Sequence, residues 1–366
     1  MPSPKNIVFI VGDFTNIGDQ FLSYVEAQYM MKTKEYGGIV ICPWNGASLD
    51  TIRWFGNRGL LVKPIRNSPL RFLLGCMGAK INLGGGQFVR EQVSIGFLIT
   101  TMLGILIASW SGGSVRMVGA GSSTIHSSSK RWAWRYILKC CSFIGMRDES
   151  SVNKIKTAFP DMASRVFLTS DVAFLSARSV VLEKSSVDLT KICLVALACD
   201  LGEGRQSEPE LVVNLIAKLS AVGLINRVCF VAHDSRAGLD LNISKLIGGK
   251  TIELLNLPTE ILDCTNIDDL LNVYRQSAVI ITARLHGLII GAIYRKPVIT
   301  IFDSTQKIKP FGDSFGYPAI SAAFKDNSST CQENLNYATE YVKAFSPVSL
   351  ELALTKHFEL AVKNFY

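Results

Sequence analysis

The sequence predicts an α/β protein of two doubly wound, Rossmann-like domains, and three observations carry that prediction. The chain has 366 residues, which at roughly 150 residues per domain leaves room for two domains and some extra helix. It is 48% apolar and 19% charged, so it has enough apolar surface for large cores and lies far from the disordered regime. Short β-branched runs alternate with longer amphipathic or apolar stretches, and the rhythm starts twice. Parallel strands joined by crossover helices produce that alternation.

In the first half, strands are expected at 6–11 (NIVFIV), 38–42, 79–83, 115–119, 142–145 and 165–168, with helices at 19–32, 94–110 and 130–140. From 176 to 190 (SARSVVLEKSSVDLT) the periodicity stops and the chain turns serine-rich and charged, as an exposed connection does. The second half restarts with KICLVALA as a strand, a helix at 208–221, RVCFVAH as a strand, a helix at 236–247 and TIELL as a short strand. A helix at 268–276, the strand AVIITA, a helix at 287–294, the strand PVITIF and a helix at 350–364 complete it. The expected domains are therefore 1–178 and 190–345, followed by a C-terminal helix at 346–366. Two such domains in sequence predict a GT-B-like fold in which they face a cleft.

Lysine and arginine number 38 against 30 aspartates and glutamates, a net charge of +8. That surplus favours anionic partners such as phosphorylated metabolites or an anionic membrane surface. The basic residues are dispersed and no basic motif interleaved with aromatics occurs, so nucleic acid is not expected as a partner. The nine cysteines form no CxxC pair and no regular spacing, so neither a disulfide framework nor a zinc site is written here. A reducing cytoplasm is the expected compartment. The opening MPSPKNIVFIVGDF lacks a long apolar core and a cleavage site, and reads as a first strand rather than a signal peptide. Between Glu91 and Arg116 there is no charge, but SIGFLITTMLGILIASW falls short of the roughly 20 residues needed to cross a bilayer. A buried helix is expected there, with a membrane-surface helix as the alternative.

Ligands of open parallel sheets bind beyond the carboxyl ends of the strands, where helix N-termini point. Five clusters fall at such positions: GDFTNIGD (12–19), GGGQF (84–88), GAGSS (119–123), MRDESS (146–151) and ARLHG (283–287). Their glycines permit close backbone approach, and helix-start amides offer donors to an anion. ARLHG carries most information. Arg284 and His286 follow the apolar strand AVIITA directly, with Leu285 between them and Gly287 opening the next helix. Arginine grips carboxylate or phosphate with two parallel hydrogen bonds, and histidine exchanges protons near neutral pH.

The order of these motifs resembles the polysaccharide pyruvyl transferases. A first strand leads to NIGD, with Asn16 and Asp19. GGGQF, with Gly84, Gly85 and Gly86, comes next, then GAG, RDESS, DVAF (171–174), RLHGLI (284–289) and a proline-led strand, covering about residues 6–316. The resemblance implies a GT-B-like enzyme that moves the pyruvyl unit of phosphoenolpyruvate onto two sugar hydroxyls. The product is a pyruvate ketal, with phosphate released. It needs no cofactor beyond phosphoenolpyruvate as co-substrate. Arg284 and Arg147 are the matching positions for the donor. His286 matches the family's functional histidine, as acid toward the enol methylene or as base for the attacking hydroxyl. The glycines at 84–86 and Asp19 are expected to shape the acceptor side in the first domain, although Asp19 equally fits a helix-start acceptor. Relatives often have proline after GAG, whereas this chain has serines, Ile125 and His126, and His126 is a secondary candidate there. Lys307 and Lys309, in STQKIKPFGDSFG, are candidate donor contacts.

The expected acceptor is a saccharide of a polysaccharide or its lipid-linked precursor. That would put the enzyme in the cytoplasm, in peripheral contact with the inner membrane face. Two other readings of the same fold remain: a sugar-nucleotide glycosyltransferase, for which there is no DxD motif to bind metal, and a noncatalytic binding protein.

Overall fold

The structure is a computed structural model, and it describes residues 6–12, 14–32, 38–178, 191–200, 205–206, 209–234, 236, 240–264, 266–302, 308–321 and 329–365. Two compact units emerge, residues 1–176 with 356–366, and residues 177–355.

The first unit is built on seven parallel strands: β1 (Ile7–Val11), β2 (Ile39–Pro43), β3 (Leu61–Val62), β4 (Lys80–Gly84), β5 (Ser114–Ala120), β6 (Phe143–Met146) and β7 (Val166–Leu168), in spatial order 3-2-1-4-5-6-7. β1 is buried at every residue, as a central parallel strand covered on both faces must be. The helices are α1 (Ile17–Met31), α2 (Leu49–Gly56), α3 (Pro69–Gly75), α4 (Ile95–Trp110), α5 (Ser128–Cys140) and α6 (Glu149–Ala158). Side chains of Asn16, Ser48, Ser94, Ser127 and Asp148 cap five of them, each taking an amide proton that the first turn leaves unpaired. Residues 356–366 group with this unit. His357 hydrogen-bonds Ser170 at 2.8 Å and stacks on Phe174, while Asn364 accepts the Gly119 amide at 3.0 Å.

The second unit repeats the plan with β8 (Ile192–Ala196), α7 (Pro209–Ala221), β11 (Arg227–Ala232), α8 (Asp240–Leu255), β12 (Thr259–Asp263), α9 (Ile267–Gln276), β13 (Val279–Thr282), α10 (Leu285–Ile293), β14 (Val298–Phe302), α11 (Lys309–Ser314) and β15 (Ala319–Ser321). The two-residue strands β9 (Cys199–Asp200) and β10 (Arg205–Gln206) pair with each other, α12 (Ser329–Ala344) follows, and α13 (Glu351–Val362) starts in this unit and runs into the residues that group with the first. The six-stranded parallel sheet has the order 12-11-8-13-14-15. Counted from its own first strand this is 3-2-1-4-5-6, the doubly wound order of the first unit. In each sheet the strands stay parallel while the order in which they are added reverses between two neighbours, β1 and β4 in one and β8 and β13 in the other.

Several expectations change. TIELL is not a strand: α8 runs through it to Leu255, and TEILD four residues later is β12. Gly248 and Gly249 look like a helix stop but do not act as one. Gly248 instead lets α8 sit against Ile261 and Phe230, and the helix ends before Asn256, at φ +49°. The C-terminus is not one helix over 346–366, since short 3-10 turns at Pro347–Leu350 and Lys363–Phe365 flank α13. α4 buries one face only: Phe97, Leu98, Thr101, Ile105 and Ala108 are buried while Ile95, Ile99 and Leu103 are exposed. Residues 176–178 of the expected connection end a 3-10 helix over Val172–Arg178, and 179–190 lie outside the described residues.

Candidate functional site

In the second unit, the carboxyl ends of β8, β11 and β13 converge on one buried polar network. His233 and Asp234 follow β11, Asp240 opens α8, and Arg284 follows β13 as the residue before α10. Asp240 is fully buried. One of its carboxylate oxygens accepts the backbone amides of His233 and Asp234, both at 3.1 Å, and the other is ion-paired with the Arg284 guanidinium. Arg284 also donates from Nε to the Leu197 carbonyl at 3.4 Å, and its own amide goes to Thr282 Oγ1 at 2.9 Å. Its side chain is 12% exposed. Burial raises the Asp240 carboxyl above the usual carboxylate range, with Arg284 pulling against it.

His233 lies beneath, its Nε2 2.9 Å from the Tyr274 hydroxyl. Burial first, and then the charge of Arg284, lowers its pKa to about 3, so the ring is neutral at physiological pH. Leu285 and His286 are the first two residues of α10 and are half-buried. The His286 Nε2 is out of contact with solvent. Gly287 is buried, and a Cβ on it would come 2.5 Å from Thr282 Oγ1 and 2.7 Å from the Tyr274 hydroxyl. That glycine lets the first turn of α10 close over the network.

In the first unit, three glycine-bearing turns interlock where β1 and β4 part. Asn16 caps α1, accepting from the Gly18 amide at 2.8 Å. Asp19, in the first turn of α1, lies so close to the GGG turn that a Cβ on Gly86 would fall 2.2 Å from its Oδ1. Gly84, Gly85 and Gly86 all have positive φ, and Gly84 leaves no room for a Cβ against the Val118 carbonyl. The Gly86 carbonyl accepts from Gly121 at 2.8 Å, and Val89 donates to the Gly121 carbonyl at 3.2 Å, which ties GGG to GAG. Gly121 in turn rests on the Arg147 guanidinium, and the Arg147 amide donates to Ala120.

Arg147 is itself 7% exposed, ion-paired with Asp171 at 3.5 Å and Asp148 at 3.4 Å. Asp171 is fully buried, and burial lifts its pKa against the pull of Arg147. This joins the RDESS and DVAF segments. Beside the GAG turn a cavity of about 340 Å³ opens, lined by Ser122, Ser123, Thr124, Arg131, Lys154 and Thr157 among others. The hydroxyl of Ser123 is buried there without a partner among the described residues.

The remaining candidates do not join these clusters. His126 is exposed, and its amide donates to Glu91. Lys309 is ion-paired with Asp313 at 2.7 Å on the surface of α11. Lys307 lies outside the described residues. No group of three or more His, Cys, Asp or Glu side chains among the described residues could hold a metal ion. Sequence reasoning missed Asp240, His233 and Tyr274. The signal for the first two was present, since HDSRAGLD follows the apolar strand RVCFVA as RLHG follows AVIITA.

The sequence profile of the family described as polysaccharide pyruvyl transferase matches residues 16–302. The chain belongs to that family. NIGD, the interlocked turns, the Arg147–Asp171 pair and RLHG all lie within the matched span. No curated protein sequence matches it. Among solved structures, UDP-GlcNAc 2-epimerase from Methanocaldococcus jannaschii is similar over 99% of this chain and 100% of its own, with a TM-score of 0.62 at 14% identity. The Neisseria meningitidis UDP-GlcNAc 2-epimerase bound to UDP-GlcNAc matches over 98% and 99%, with a TM-score of 0.58 at 12% identity. A glycosyltransferase from Rickettsia africae ESF-5 matches over 100% and 99%, with a TM-score of 0.53 at 14% identity. At such identities the likeness is one of fold. This pyruvyl transferase family member has the two-domain, Rossmann-like GT-B fold.

Proposed function

We propose that the protein transfers the pyruvyl unit of phosphoenolpyruvate to two hydroxyls of a saccharide, on a lipid-linked precursor at the cytoplasmic membrane face, and releases phosphate. The observation that carries this reading is Arg284. It lies at the carboxyl end of β13, where the second sheet reverses, and it is oriented by the buried Asp240 at the foot of α10. A guanidinium there, beside the amides of a helix start, suits a donor that bears both a carboxylate and a phosphate. Arg147 has a different part in this reading: held by Asp171 and Asp148, it shapes the GAG turn from behind. The saccharide then lies on the first unit, toward the cavity beside Ser122 and Ser123, whose wall sets hydroxyls and the cations of Arg131 and Lys154 beside Ile125, Ile155 and Phe159.

In the reaction a proton adds to C3 of the enol and makes C2 electrophilic. One sugar hydroxyl attacks C2, the bond from C2 to the phosphate oxygen breaks, and the second hydroxyl closes the ketal. Of the two hydroxyl protons lost, one balances the proton gained at C3 and the other leaves with phosphate. His286, two residues after Arg284, is the group assigned to proton transfer. Arg284 and the α10 amides stabilise charge on the departing phosphate.

Calorimetry with phosphoenolpyruvate and with sugar nucleotides tests the donor, using Arg284→Ala as the control. Selective phosphoenolpyruvate binding that the substitution abolishes is the expected result. Selective sugar-nucleotide binding would replace this reading with a glycosyltransferase.

A further inference from the structure

α4 is apolar all round, which in a globular protein ordinarily means burial on every side. Here only one side is covered. Ile95, Ile99, Leu103, Leu106 and Trp110 recur at helical spacing on the other side, exposed by 56%, 51%, 44%, 42% and 96%. α3 packs against α4 where Gly104 meets Phe72 and Cys76. It adds Leu70, Leu74 and, just past its end, Met77, each more than half exposed. Eight large apolar side chains open to solvent on two touching helices exceed what a monomer scatters over its surface.

The stretch of chain that carries this face is as uneven in charge as in hydropathy. Residues 61–146 hold ten lysines and arginines and a single acidic residue, Glu91, a net of +9. The whole chain carries +8, so the remainder sums to −1. Lys63, Arg66 and Arg71 are exposed before and on α3. Arg131 and Lys139 are exposed on α5, which packs against α4 and also bears Trp132 at 64% exposure. Exposed apolar side chains and tryptophans, with exposed cations before and on α3 and on the adjoining α5, match the acyl boundary and the anionic headgroups of a lipid surface. A helix of 16 residues is about 24 Å long, shorter than a bilayer core of about 30 Å. No helix among the described residues is long and apolar enough to cross a membrane.

We propose that the solvent-facing side of α3 and α4 docks the protein on an anionic lipid surface, with α4 lying in the plane of the headgroups. This deepens the membrane part of the functional reading above, and its test separates it from the donor chemistry.

The test is vesicle flotation of the full chain, comparing phosphatidylcholine vesicles with vesicles containing 30% phosphatidylglycerol. The expected result is at least tenfold more protein on the anionic vesicles, lost as salt screens the charges, and at least tenfold less for Leu103→Glu/Leu106→Glu. Both leucines face solvent, so far-ultraviolet dichroism should match the wild type. Arg66→Glu/Arg71→Glu should weaken binding only to the anionic vesicles. Wild type that ignores anionic vesicles, or a leucine variant that floats as well as wild type, overturns the proposal. So does a concentration-dependent dimer that the leucine substitutions dissolve without any vesicle binding, because a second copy then covers the face. Phosphate release with a soluble saccharide acceptor, measured on the same proteins, should be unchanged. Flotation without phosphate release would retire the pyruvyl chemistry and keep the docking face, and release without flotation the reverse.

Discussion

Where the first sheet reverses, the strand ends are made of backbone; where the second reverses, they are made of charged side chains. Gly84, Gly85, Gly86, Gly119 and Gly121 bring two turns within hydrogen-bond reach of each other, and the arginine beneath them, Arg147, is 7% exposed behind Gly121. Arg284, by contrast, follows β13, one of the two strands between which the order reverses, with Asp240, His233 and Tyr274 packed around it, whereas Arg147 follows β6, two strands away from β4. The strand order is the same in both, so the fold does not impose the difference. A glycine surface gives shape and amide dipoles that suit a neutral, hydroxyl-rich ligand. A buried arginine with its counter-charge gives a directed cation that suits an anion.

The largest effect should come from removing the counter-charge in the second unit. Asp240→Ala leaves Arg284 largely buried without its partner and strips the acceptor from two backbone amides. Breaking a buried pair in this way costs about 3–5 kcal/mol, to be read as a lower urea midpoint, and donor affinity should fall with it. If Asp240→Ala unfolds with the midpoint of wild type, the network does not organise the strand ends.

The two units should also respond to pH in opposite senses. In the first, Glu26 of α1 is fully buried against β4, and burial lifts its carboxyl to about 7 while a 3.0 Å hydrogen bond from Asn82 pulls the other way. A carboxyl raised in the fold holds its proton there. Its contribution is complete below the unfolded value near 4.5 and is lost as pH rises through 7. The shift is worth about 3 kcal/mol. Glu26→Gln keeps the acceptor for Asn82 and should flatten stability between pH 5 and 8.

In the second unit, His233 is held neutral with a pKa near 3. The unfolded ring binds a proton below its ordinary 6.5, so stability is present above that value and falls as pH drops. Between pH 6.5 and 5 the loss is about 2 kcal/mol, and His233→Gln should remove it. Urea melts from pH 5 to 8 on both variants check the pair. If the Glu26 variant keeps the slope of wild type, the carboxyl ionises freely and the contrast fails on that side.

What the sequence made legible follows from distance along the chain. RLHG, GGG and NIGD could be read because each lies within a few residues of an apolar strand that dictates its position. HDSRAGLD follows an apolar strand in the same way, but what singles out Asp240 within it is a partner 44 residues away, and the expected helix start at 236 places Asp240 inside a helix rather than at its opening. Asn364 illustrates the limit further: it supports Gly119 across 245 residues, and nothing local to AVKNFY announces it. TIELL was misread because β-branched residues after two glycines imitate a strand. The tertiary contact of Gly248 with Ile261 and Phe230 decides for helix. The exposed stripe of α4 was invisible for a related reason, since composition gives how apolar a helix is and only packing gives which face is covered.

The smallest effect tests whether the backbone-built turn depends on one glycine. Gly86 has φ +57°, and a Cβ there would meet Asp19 Oδ1 at 2.2 Å. Gly86→Ala therefore carries two costs, a left-handed backbone of about 1–2 kcal/mol and a contact that the Asp19 side chain can relieve by rotating away. The double variant Gly86→Ala/Asp19→Ala removes the contact and keeps the backbone cost. Its urea midpoint should recover only in part, leaving the double-mutant cycle with a coupling below that of the backbone term. Full recovery would mean that the positive φ is incidental, and that Asp19 rather than the glycine backbone sets the shape of the first unit's strand ends.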